Sequence, residues 1–228
     1  VSNTDGTITS SVSSNPTAGF SIVSFAGNGS NSATVGHGLG VVPKMIIEKS
    51  RTASFDGSWW VNHNKTTSGT LRLNSTDATR TDFPSGWING SPTSSTFSFT
   101  AGSGGTVNNV NYSGDAYIAY CFANTSMIKC GSYTGNGSAD GTFVFTGMKP
   151  AFVIMKNTAD SGASWQLFDN KRNTYNQMNG RLFPNSSSAE NTDANNNIDF
   201  LSNGFKMRTS NGDTNSSGVT FIYLAIAE

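Results

Sequence analysis

Three kinds of residue in this chain could do chemistry. Glycine clusters come first: "GNGS" occurs at 27–30 and again at 135–138, and "GHGLG" runs from 36 to 40. A phosphate cradle needs such glycines at a strand-to-helix turn, with a helix N-terminus behind them. No helical pattern follows either stretch, and no Gly-Lys pair exists for a P-loop. Asn-Gly is the pair of a tight hairpin, whose two central residues take positive φ, so both GNGS stretches are read as hairpin turns. Metal ligands and nucleophiles come next. His37 and His63 are the only histidines and Cys121 and Cys130 the only cysteines, without the short spacing a zinc site needs. There is no GxSxG elbow. Asp56, Asp77, Asp82, Asp115, Asp140, Asp169, Asp193 and Asp213 stand in turn-like contexts where Asp caps backbone, not as a glycosidase pair. Oxygen-rich loops at 136–141 and 210–218 would suit calcium, but neither matches an EF-hand loop, and Asn-rich turns explain both. No catalytic residue, metal or cofactor is assigned.

The third kind is aromatic. Trp87 sits in the polar stretch "FPSGWINGSP", where an indole needs either packing or a partner, and sugar rings stack on such faces. Gly36, His37 and Gly38 lie in a strand pattern that puts the two glycines on one face as a notch. An aromatic, Trp60 first, is expected to fill it; left open, it would be a ligand groove. Trp87, Trp60, Gly36, His37 and Gly38 are therefore the candidate ligand-binding residues, and His37 is read as hydrogen-bonded packing.

The elements that would carry these residues follow from composition and repeats. Ser, Thr, Asn and Gly fill nearly half the chain, all poor helix formers, yet 15 Phe, 6 Tyr and 4 Trp supply core surface. Charged residues are 12%, with 14 bases against 14 acids. That leaves no basic stripe for nucleic acid. No apolar run approaches a membrane-spanning helix. The two cysteines are read as small buried hydrophobes, with a cross-strand disulfide as the lesser alternative.

Sliding the chain on itself aligns "SFAGNGS" (24–30) with "SYTGNGS" (132–138), "SWWVNHNK" (58–65) with "SWQLFDNK" (164–171), and "GDAYIAYCFA" (114–123) with "GVTFIYLAIA" (218–227). The same alignment places Gly36 and Gly38 over Phe143 and Phe145, and Trp59 over Trp165 as paired core anchors. About seven short strands per half are expected, without a helix, and the runs at 115–122 and 219–227 are apolar on both faces, hence central. The expected fold class is all-β: two tandem, homologous antiparallel β-sandwich domains, jelly-roll-like, at 19–125 and 126–228, after a lead-in strand or linker at 1–18. A leader or longer upstream part is left open by the start at Val1.

The stretches "NTDGTITSSV", "VGHGLGVVPKMIIEKSR", "KCGSYTGNGSADG", "IDFLSNGFKMRTS" and "TFIYLAIAE" resemble a domain of unknown function recurrent in marine bacteriophage virion proteins, including tail-fibre and adhesin-like chains. The resemblance implies a non-enzymatic virion structural protein on the outer surface or tail, taking part in host attachment. Its implied partners are other virion subunits and a host cell-surface glycan, with no nucleic acid and no membrane insertion, and its implied state is a homo-oligomer, trimer first. The alternatives are a capsid-decorating or head-fibre protein and a bacterial surface filament or matrix protein.

Overall fold

In the computed structural model every residue is described except 67–68, 82–86, 89–91 and 102, and the side chain of Trp87. The chain is all-β, and its strand pairs are antiparallel. It divides into two compact units, 1–73 with 79–125, and 74–78 with 126–228.

In the first unit, β1 (Ser2–Asn3), β2 (Ser10–Asn15), β3 (Phe20–Ala26), β5 (Met45–Ser50), β6 (Trp59–His63), β7 (Leu71–Arg72) and β10 (Ala116–Phe122) form a sheet ordered β1-β2-β3-β10-β5-β6-β7. A second sheet, β4-β9-β8, holds β4 (Thr34–Gly36), β8 (Trp87–Ile88) and β9 (Thr96–Thr100). One core draws on both, with Val23, Phe25, Ile46, Trp60 and Tyr117 from the first and Val35, Ile88, Phe97 and Phe99 from the second. The arrangement is sandwich-like: each strand turns alternate side chains inward. β10 lies between β3 and β5, the place that a strand apolar on both faces requires.

In the second unit the main sheet is ordered β11-β17-β13-β14, from β11 (Ile128–Thr134), β13 (Pro150–Asn157), β14 (Gln166–Asp169) and β17 (Thr220–Ala227). The second sheet is β12-β16-β15, from β12 (Phe143–Phe145), β15 (Ile198–Leu201) and β16 (Gly204–Met207). Tyr133, Val153, Phe168, Phe205, Phe221 and Tyr223 build its core. Segment 74–78 joins this unit: the buried Lys156 ammonium donates to the carbonyls of Thr76 (3.1 Å), Asn157 (2.9 Å) and Asp160 (3.3 Å).

The GNGS stretches are not hairpin turns. β3 and β4 lie in different sheets, as do β11 and β12, so each stretch carries the chain across from one sheet to the other. Gly29 and Gly137 take positive φ, 72° and 65°. What holds the crossing is an asparagine on a single helical turn, α1 (Asn108–Asn111) or α2 (Gly212–Asn215). Asn111 Oδ1 accepts the Asn28 amide (3.0 Å) while its Nδ2 donates to Asn28 Oδ1 and the Ser30 carbonyl (3.0 Å each). Asn215 does the same for Asn136 (3.0 and 2.8 Å) and Ser138 (2.9 Å). Both clamp residues are fully buried. The expectation of no helix missed these turns because a four-residue helix has no apolar period to read.

The lead-in is a structural part of the first unit. β2 pairs with β3 along its length, and Ile8 makes a parallel bridge to Val35. Strand grammar underweights such a segment because its side chains are small and polar, while its backbone completes a ladder.

Candidate functional site

The candidate ligand face around the glycines is closed. A side chain at Gly36 would collide with the Asn3 side chain, and one at Gly38 would meet Val12 Cγ1 at 3.0 Å and Ser14 Oγ at 3.3 Å. Ser10 Oγ donates to the Gly36 carbonyl at 2.9 Å. The notch is filled by the lead-in, not by Trp60. Trp60 faces the core, 2% exposed, and its Nε1 donates to Asp56 Oδ2 at 3.1 Å. His37 is fully buried: its Nδ1 accepts the Leu39 amide at 3.2 Å, which leaves Nε2 to donate to the Thr93 carbonyl at 3.2 Å. Burial lowers its pKa, so the ring packs as a neutral imidazole. Trp87 pairs with Thr100 in β8, and its side chain lies outside the described residues.

The glycine-to-phenylalanine match also shifts. Val35 pairs with Phe97 and Val144 with Phe205, and both phenylalanines meet an aromatic of the main sheet edge-on, Phe25 at 6.1 Å and Tyr133 at 6.0 Å. Phe145 therefore stands where the first unit has Gly36, and Phe143 where it has Thr34. A slip of two residues keeps every side chain on its own face, so alternation alone does not detect it. Trp59 is not a core anchor either: it stacks on Tyr120 at 6.3 Å on the face away from the core, under the Lys49 ammonium at 5.5 Å. Trp165, by contrast, is buried.

Cys121 and Cys130 are buried and form no disulfide, and burial pushes the Cys121 thiol up to about 12. Among the described residues no three His, Cys, Asp or Glu side chains gather as a metal site. In the calcium-like loops Asn136 serves the clamp and Asp140 pairs with Lys206 at 2.7 Å.

A concave surface that displays an exposed ring lies in the second unit. A groove of about 420 Å³ is lined by Lys149, Asn170, Asn173, Tyr175, Asn176, Glu228 and their neighbours, with Met178 and Phe200 as its buried floor. Asn170 follows β14 and is pinned by its amide to the Ala151 carbonyl (2.9 Å). The loop after it is held on both sides of Tyr175. Asn173 Oδ1 accepts the Gly180 amide at 2.5 Å. Asn176 donates to the Phe200 carbonyl and accepts its amide, 2.9 Å each, standing in for a strand neighbour of β15. Tyr175, 84% exposed, is thus displayed by an anchored loop. At the other wall Lys149 pairs with Glu228, and Asn170 Nδ2 donates to Glu228 Oε1 at 3.1 Å. That ammonium holds the Glu228 carboxyl below the usual carboxylate range. Asn170 Oδ1 is buried and has no hydrogen-bond partner among the described residues. The sequence signal available for this groove was an Asn-rich run with one tyrosine, "NKRNTYNQMN" at 170–179, which reads as an ordinary loop.

Comparison with curated proteins and with solved structures gives no match. A family model does match, over residues 1–228, and the chain belongs to that family, a domain of unknown function designated DUF7483.

Proposed function

We propose that this chain is a non-enzymatic bacteriophage virion protein, part of a tail fibre or appendage, that takes part in attachment to the host surface. The observation that carries the recognition half of this reading is the groove of the second unit, with an exposed ring held out by an anchored loop on a β frame. The virion setting rests on the sequence resemblance. We also infer that the two units are homologous sandwiches born of a duplication. Matching asparagine clamps support this, as do matching stacked pairs, Phe25 with Tyr117 (5.2 Å, 10°) and Tyr133 with Phe221 (5.0 Å, 9°). Tandem units of this kind suit multivalent contact, where weak sites gain through effective concentration, and a homo-oligomer, trimer first, would multiply it. The test is to locate the chain on an intact particle by cryo-electron microscopy. Density at the tail periphery supports attachment; density on the head alone replaces this reading with a decorating role.

A further inference from the structure

We propose that the groove of the second unit is a saccharide-binding site, in which Tyr175 is the stacking platform and Asn170, Glu228 and Lys149 are the polar anchors. The inference rests on the recognition reading above and names the ligand class and the residues that take it.

The groove asks for a ligand with one apolar face and a dense edge of hydroxyl groups. Its single exposed ring offers a flat face at the rim, and the floor residues Met178 and Phe200 are only 2% and 5% exposed, so no wide apolar surface awaits a lipid or a greasy side chain. The rest of the lining is amide, hydroxyl, ammonium and carboxylate. Pyranose rings match that set: C–H bonds on one face pack against an aromatic ring, and equatorial hydroxyls both donate and accept. Asn170 Oδ1 accepts nothing in the free protein although it is buried, while its Nδ2 is committed to Glu228. A sugar hydroxyl would satisfy it once the side chain turns toward the groove, because a buried acceptor without a donor is unfavourable. Glu228, kept ionised by Lys149, accepts a second hydroxyl, and Lys149 retains donors for ring or glycosidic oxygens. The volume, about 420 Å³, falls within the range of about 300–1,000 Å³ of small-molecule sites.

Two other grooves among the described residues lack the combination. A hydroxyl-lined groove in the first unit, between Ser2, Thr9, Ser11 and Ser24, has Phe25 as its one ring, 5% exposed. A second groove of the second unit, around Arg208 and Asn211, has no aromatic residue in its lining.

The test is a titration of the ¹⁵N-labelled full chain with cellobiose, N,N′-diacetylchitobiose and digalacturonate, followed by amide shifts. At least one of the three should give saturable shifts confined to 149, 170–178, 200 and 228, including the Asn170 side-chain amide. Tyr175→Ala should weaken that binding roughly tenfold with the remaining spectrum unchanged, and Tyr175→Phe should retain it. No response to any of the three, shifts centred elsewhere, or undiminished binding by Tyr175→Ala would overturn the proposal. The two readings fail separately: a tail-located chain with a silent groove removes the site, while a sugar-binding chain found on the head alone removes the attachment role.

Discussion

Glu48 shows how one residue can set a property of a whole unit. It sits in β5 between Ala119 and Trp60, fully buried on the core face, and neither carboxyl oxygen has a hydrogen-bond partner among the described residues. Burial raises its pKa well above the ordinary 4.5, so the folded chain holds a neutral acid there. With the folded pKa above the unfolded one, the unfolded chain releases this proton first. Stability from this group is greatest below the unfolded value and falls as pH climbs through the folded one. Glu48→Gln should therefore flatten the fall of the thermal midpoint that the native chain shows as pH rises above the ordinary carboxylate range. Parallel curves for the two proteins would show that Glu48 is not a buried acid. At the same scale, Asn111→Ala and Asn215→Ala each remove three or more hydrogen bonds of a buried side chain and should cost about 2–4 kcal/mol in denaturant unfolding. Surface Asn→Ala controls should cost little, and clamp variants that match them would refute the clamp.

At the scale of elements, the lead-in decides the shape of the first unit. β2 covers the edge of β3, Thr7 and Thr34 exchange hydrogen bonds of 2.9 Å, and Asn3, Val12 and Ser14 lie over the glycines. Deleting residues 1–15 would leave a seven-residue strand edge unpaired and take Ile8 and Val12 from the core. Hydrogen exchange at 20–26 should then rise sharply while 128–134 keeps its protection; equal protection in both proteins would make the lead-in dispensable. Gly38 takes φ +68°, beneath Val12. Gly38→Ala should cost about 1–2 kcal/mol, from the left-handed backbone, before any displacement of β2 is counted. Chemical denaturation of that single variant measures it.

At the scale of the whole molecule, the balance of charges is the relevant feature. With 14 basic and 14 acidic residues the formal net charge is zero, so net charge supplies no long-range steering of a charged partner. Binding by the groove should accordingly change little with ionic strength for a neutral sugar. A steep salt dependence, measured by the same titration in low and high salt, would point to ionic capture instead.

The chain's own letters settle the class: a sequence so rich in Ser, Thr, Asn and Gly, with aromatics in short alternating runs, can bury a core only as strands. They also settle which strands are central, because β10 and β17 are apolar on both faces and each lies between two neighbours. The recurrence of GNGS was visible as well, but its meaning was not. The partner of Asn28 is 83 residues away and that of Asn136 79 residues away, so a local turn and a long-range clamp look alike in sequence. The same holds for Gly36, covered by a side chain 33 positions earlier, and for Tyr175, whose exposure depends on what Asn173 and Asn176 grip. Periodicity reports which face a residue takes within its own strand. Which remote segment meets that face, and whether it closes a notch or leaves a groove open, was decided only by the tertiary packing of the sheets.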